Sequence, residues 1–248
     1  MNKALMSLLS FVTVLAIIAG LYIHVFGFTF GNSGKETSME ESFQNVEEIV
    51  IEGNLFNLSI RDGSSDKIEV RFEGAEKLAP KMELNGGKLS IIQPETKFKI
   101  KSLKELSGKA ELSISIPKGT ELKSFDCELD LGNIEADSIG AKDFDIKASL
   151  GNVEIREFTA DDAQITANLG DVVIRKAYFK DMDIDADLGN VELETVTPVS
   201  EYTLDIETDL GDNEVEGKKV ESEYHNKGSA GTIDIECDLG NVSVSTAK

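Results

Sequence analysis

Over the second half of the chain apolar and polar residues alternate strictly, and the alternation is broken six times by the same corner. The corner reads Leu131-Gly132-Asn133, Leu150-Gly151-Asn152, Leu169-Gly170-Asp171, Leu188-Gly189-Asn190, Leu210-Gly211-Asp212 and Leu239-Gly240-Asn241, with successive glycines 19, 19, 19, 22 and 29 residues apart. Five, three and one residues before each glycine stand Cys127, Leu129 and Leu131; Ile146, Ala148 and Leu150; Ile165, Ala167 and Leu169; Ile184, Ala186 and Leu188; Ile206, Thr208 and Leu210; Ile235, Cys237 and Leu239, all apolar but Thr208. The residues between them are mostly Asp, Glu, Lys or Ser. This period of two is that of a half-buried strand. Alternation resumes after the corner at Ile134/Ala136, Val153/Ile155, Val172/Ile174, Val191/Leu193 and Val242/Val244. Each repeat therefore predicts a strand, a tight corner, a second strand and a short polar loop.

A fixed period near twenty points to a stacked repeat fold. The expectation is an all-β protein, a parallel β-helix-like solenoid of about 19-residue coils whose equivalent residues stack about 4.8 Å apart. Ala148, Ala167 and Ala186 would line a narrow interior, and Asn133, Asn152, Asp171 and Asn190 would form a ladder along one corner. A meander of hairpins is the alternative, because Gly-Asn and Gly-Asp also make two-residue hairpin turns. The fifth repeat departs from the pattern: Asn213 stands where the others have Val or Ile, which marks a distorted or edge coil.

Residues 121–248 make up this repeat solenoid. Residues 46–120 also read as β, with turn clusters at Arg61-Asp62-Gly63-Ser64-Ser65 and Asn85-Gly86-Gly87, but carry no 19-residue period. They are expected to form an irregular region capping the stack. Residues 4–34 contain no Lys, Arg, Asp or Glu, and residues 5–28 are long enough to span a bilayer as a helix. Lys3 precedes the span and Glu36, Glu40 and Glu41 follow it, which places the body on the extracytoplasmic side. Residues 1–30 are thus read as a single-pass anchor and 31–45 as a flexible tether; His24 in the span is read as a tolerated residue.

The formal net charge is −21, which excludes nucleic acid as a partner. Residues 121–216 hold 26 Asp and Glu against 7 Lys and Arg, so the charge belongs to the repeats. The two cysteines, Cys127 and Cys237, fall in the first and last coils in sequence order; five coil steps, roughly 24 Å, are too far for a disulfide, and both are expected in the core as free thiols.

Candidate chemistry is sparse. With two histidines and two distant cysteines there is no zinc motif, no phosphate-binding or dinucleotide loop and no nucleophile elbow, so no catalytic residue and no cofactor is assigned. A carbohydrate-active enzyme would need long loops around a cleft and aromatic stacking platforms, and the chain has no Trp and four Tyr. Calcium is the one ligand with candidates. Asp130, Asp187, Asp209 and Asp238 lie two residues before a glycine, and Asn133, Asn190, Asp212 and Asn241 one after, so stacking would bring hard oxygen donors together. Two basic segments are interaction candidates. Lys97, Lys99, Lys101 and Lys104 alternate with Phe98 and Ile100 in an arm suited to anionic headgroups or wall polymer. Lys218, Lys219, His225 and Lys227 lie in the long insertion 217–231.

The apolar N-terminal segment, the lead Val46-Glu47-Glu48-Ile49-Val50-Ile51 running into Asn57-Leu58-Ser59-Ile60, and the Gly-Asn/Asp-Val repeats together resemble the bacterial "putative adhesin" β-strand-repeat family of unknown function, in its LiaG-like, membrane-anchored form. That resemblance implies a right-handed β-helix-like fold, an extracytoplasmic position and an envelope-stress or adhesion setting, with an envelope polymer or membrane protein as partner. A structural protein that oligomerises through its solenoid ends is the alternative, because the last coil in sequence, Ile233 to Val244, shows no cap.

Overall fold

The computed structural model describes residues 35–94 and 110–247, which hold strands, loops and two single-turn 3-10 helices. The strands are β1 (Glu36–Phe43), β2 (Glu48–Gly53), β3 (Asn57–Gly63), β4 (Ile68–Ala75), β5 (Lys81–Asn85), β6 (Lys88–Ile92), β7 (Glu111–Pro117), β8 (Leu122–Leu131), β9 (Ile134–Leu150), β10 (Val153–Leu169), β11 (Val172–Tyr178), β12 (Asp181–Leu188), β13 (Val191–Thr195), β14 (Thr203–Leu210), β15 (Asn213–Val215), β16 (Lys218–Val220), β17 (Glu223–Asn226), β18 (Thr232–Leu239) and β19 (Val242–Thr246). They join into one open sheet, folded over at the glycine corners.

Consecutive repeats pair in parallel with a 19-residue register, Ile146 opposite Ile165 and Ile165 opposite Ile184. This rules out the hairpin meander, in which neighbouring strands would run antiparallel. Each layer contributes one strand to a front face, before the glycine, and one to a rear face, after it. β9 and β10 bend midway and serve both faces: Ile134 of β9 stacks on Leu58 of the rear strand β3, and Phe144 of β9 on Phe125 of the front strand β8.

The stacking order is not the sequence order. On the front face it runs β6, β2, β8, second half of β9, second half of β10, β12, β18, β14. The matching rear order is β7, β3, first half of β9, first half of β10, β11, β13, β19, β15. Counted from the β6–β7 end these are layers 1 to 8. After β1, which lies against β4 beyond layer 1, the chain fills layer 2, steps out to layer 1, and returns to layer 3. At the far end it jumps from layer 6 to layer 8 and comes back to fill layer 7. Both ends are closed by antiparallel strands: β5 on β6 and β4 on β7 at one end, β17 on β14 and β16 on β15 at the other.

Several expectations change on this map. The segment 46–120, read as an irregular cap, supplies two full layers as well as capping strands. Residues 36–43, assigned to the tether, form β1, antiparallel to β4. The last coil in sequence is internal, so the uncapped end that motivated end-to-end oligomerisation is absent from the described stack. The insertion 217–231 forms the cap strands β16 and β17. The anchor at 5–28 and the arm holding Lys97, Lys99, Lys101 and Lys104 lie outside the described residues; among those described, no helix is long and apolar enough to cross a membrane.

The core lies between the faces. The columns five and three residues before the glycine are buried, including Ile146, Ile165, Ile184 and Ile235, and the alanines Ala148, Ala167 and Ala186 narrow it as expected. Phe125 stacks on Phe144 at 5.3 Å and Phe144 meets Phe158 edge-on at 4.8 Å. The leucines directly before each glycine are not core: the backbone is already turning there, so Leu131 through Leu239 are half-buried and Leu210 in layer 8 is 67% exposed. Cys127 and Cys237 are buried and free, in layers 3 and 7. Their separation is four steps, about 19 Å, rather than five, because the last coil in sequence is not the last in space.

A buried amide seals each end. Gln93 accepts the backbone N–H of Asn54 and Leu55 (both 2.7 Å) and donates to the carbonyls of Leu55 and Leu78. Asn213 accepts the Thr208 hydroxyl and donates to the carbonyls of Glu221 and Ser222 (both 3.0 Å), tying the cap turn to layer 8. The polar residue that breaks the fifth repeat is thus the bolt for its cap.

Candidate functional site

The Asn/Asp ladder runs the length of the stack at one corner. The N–H of Asn133 donates to Asn57 Oδ1 (3.0 Å), Asn152 to Asn133 (3.0 Å), Asp171 to Asn152 (2.9 Å), Asn190 to Asp171 (2.7 Å), Asn241 to Asn190 (3.0 Å) and Asp212 to Asn241 (3.0 Å). Backbone amides left unpaired by the corner are satisfied this way. The Oδ1 atoms of Asn133, Asn190 and Asn241 proposed for calcium are therefore each occupied by an amide of the next layer. Asp212, at the end of the ladder, pairs instead with Lys219 of the cap. Asp187, Asp238 and Asp209 come together in layers 6, 7 and 8, while Asp130 is three layers away in layer 3. Among the described residues no group of three or more His, Cys, Asp or Glu side chains is arranged to hold a metal ion.

The two faces differ in charge. On the rear face, acids and bases pair across layers: Arg61 with Glu135 (3.3 Å) and Asp137 (3.1 Å), Arg156 with Asp137 (2.9 Å), Lys176 with Glu157 (2.9 Å), Arg175 with Glu192 (2.9 Å) and Glu194 (3.3 Å). On the front face, layers 6 to 8 place carboxylates at three consecutive outward positions of each strand, after Asp181, Thr232 and Thr203 at the strand starts. Asp183 and Asp205 flank Asp234, and Asp185 and Glu207 flank Glu236; Asp187, Asp238 and Asp209 continue the block. Like charges directly opposite on neighbouring strands repel. Among the described residues one basic side chain reaches the block: His225 Nδ1 of β17 lies 2.8 Å from Asp205. Partial burial and neighbouring acids raise the carboxyl pKa values of Asp183, Asp187, Asp234 and Glu236 above the ordinary range. Alongside, a hollow of about 580 Å³ runs from Lys88 past Asp126, Asp145 and Asp162 to Asp234.

Sequence reading finds the acidity but not the block, because β18 reaches its place between β12 and β14 only through the out-of-order stacking. The other predicted interaction residues separate: Lys219 pairs with Asp212 at the corner, His225 joins the front-face block, and Lys218 and Lys227 sit exposed at the cap. Nothing in the block or hollow makes a nucleophile–base pair.

An open, parallel β-repeat stack with capped ends and charged faces defines the class. The chain belongs to the Toastrack DUF4097 family, whose model matches residues 46–246. No curated protein sequence matches it. In structure it is similar to "a putative cell adhesion protein" from Clostridium sporogenes, at a TM-score of 0.57 and 15% identity over 86% of this chain and 100% of that one. A "putative adhesin" from Bacteroides fragilis aligns at a TM-score of 0.46 and 14% identity, over 87% of this chain and 100% of that one. At 15% identity the likeness to the first is one of fold.

Proposed function

We propose that this protein is a non-catalytic binding or adhesion module of the cell envelope, held at the membrane by residues 5–28 with its β stack on the extracytoplasmic side and serving an envelope-stress response. The observation that carries this reading is the segregation of charge: the rear face carries basic side chains that pair with its acids across layers, whereas the front face over layers 6 to 8 keeps a carboxylate block facing outward. A surface of one sign steers and holds a partner of the other. The partner that fits is a cationic component of the envelope. The fold assignment and the adhesins it resembles are in keeping with this.

Two measurements test it. External protease on intact cells should remove the β stack; full protection would overturn the location. Residues 35–248, which keep β1, should sediment with envelope fractions at low salt. Neutralising Asp183, Asp185, Asp234 and Glu236 to their amides should abolish this, and neutralising Glu135 and Glu154 on the rear face should not. Equal loss from both faces would overturn the front-face assignment.

A further inference from the structure

The last coil in chain order occupies a slot rather than an end. β18 pairs on one edge with β12 and on the other with β14, Ile235 lying between Ile184 and Ile206. β19 is held likewise, Val242 lying between Val191 and Asn213. Residues 48–226 thus build layers 1 to 6, layer 8 and both caps without it. They leave a gap one layer wide with a matched strand edge on each side. The link into the slot is the exposed turn 227–230, anchored by the N–H groups of Ser229 and Ala230 on the Glu201 carbonyl (2.7 and 2.9 Å).

The same coil is both well fitted and electrostatically pushed out. It is held by the buried Ile233, Ile235, Cys237, Val242 and Val244 and by the ladder amides, and Gly240 lies so close to the layer below that a Cβ there would come within 1.7 Å of the Gly189 carbonyl oxygen. Against this, Asp234 and Glu236 each face carboxylates on both sides. Closing the slot assembles the carboxylate block, and opening it takes the block apart. No other layer has acids opposed by acids on both sides at successive outward front-face positions, as Asp234 and Glu236 are here.

We propose that residues 232–246 exchange between copies of this chain, the slot of one molecule taking β18 and β19 of a second copy so that the two share a layer. Each contact that the coil makes with layers 6 and 8 is reproduced with layers 6 and 8 of the partner, so only the turn 227–231 has to change course. Charge repulsion governs how readily the coil leaves. Local concentration of copies decides whose slot it re-enters. This interaction is independent of the cationic partner argued above, and loss of either leaves the other standing.

A disulfide reads the exchange directly. Ala186 and Cys237 are stacked neighbours, and the layer spacing of about 4.8 Å falls within the Cα range a disulfide spans. A full chain carrying Ala186→Cys and Cys237→Ala is mixed in detergent with the unaltered chain under mild oxidant. The expected product is a covalent heterodimer, mapped to positions 186 and 237, whose yield rises with protein concentration. Cys127 is buried in both chains and does not compete. The absence of a heterodimer, under conditions where Ala186→Cys with Cys237 intact closes its internal bridge, overturns the proposal. If that control bridge does not close, native mass spectrometry of mixed light and isotope-heavy chains decides. A heavy–light dimer that a peptide of residues 229–248 competes away supports exchange, and monomers alone at the highest concentration overturn it.

Discussion

At the scale of single residues, the corner glycines are fixed by stacking distance. A Cβ on Gly170 would stand 2.0 Å from the Gly151 carbonyl oxygen, and the backbone there has φ +148°, which side chains rarely adopt. Gly170→Ala is expected to cost about 3 kcal/mol or more, because neither the corner nor the layer beneath can move without parting the strands. Gly217 also has positive φ, at +70°, but nothing lies within 4 Å of its Cβ site, so Gly217→Ala should cost only about 1 kcal/mol. Urea unfolding midpoints of the two variants check the contrast. The ladder makes a second comparison: Asn152→Ala removes the acceptor for the Asp171 amide and should cost about 1 kcal/mol, while Asn152→Asp, which copies Asp171 one layer on, should stay near the parent. Both features were legible as a Leu-Gly-Asn repeat. Their cause was not, since a carbonyl 19 residues away is invisible in a linear reading.

At the scale of strands and layers, the equal spacings of 19 residues report stacking in sequence order, and the unequal ones report departures from it. The step of 22 carries the chain over one vacant layer by way of Pro198 and the 3-10 turn Val199–Glu201. The step of 29 holds the cap strands and the return. A period count reads these as irregular coils; only strand pairing shows that they reorder the stack. The two layers within 46–117 escaped the period because capping strands and the 95–109 insertion interrupt them. The carboxylate block is a product of the reordering, and its strain is testable. Glu236→Gln should raise the melting temperature at pH 7 in low salt, because Asp185 and Glu207 lose a like-charged neighbour. In about 1 M salt, where screening acts within roughly 3 Å, the gain should fade. Glu128→Gln, next to Lys147 in layer 4, should show no such gain.

At the scale of the molecule, the two faces respond to pH in opposite directions. Asp183, Asp187, Asp234 and Glu236 have raised folded pKa values, so they bind protons more tightly when folded. Their charged forms oppose folding at neutral pH, and stability is gained as pH falls through the raised values toward the ordinary 3.8 of Asp and 4.5 of Glu. Asp62, held down by the Ser138 hydroxyl and Lys118, and Glu157, held down by Lys176, contribute stability above their unfolded values and lose it as pH drops through the lowered ones. Melting temperature should therefore rise on mild acidification, peak, and fall at lower pH. A monotonic fall from pH 7 would show that the rear-face ion pairs dominate. The closed ends have a consequence of another kind. All turning back and sealing lies outside the run from layer 3 to layer 6, and the layers of that run repeat in one 19-residue register. Duplicating residues 152–170 would insert one further layer and lengthen the body by about 4.8 Å with both ends untouched. The fold is thus a ruler, whose length evolution or design can reset 19 residues at a time.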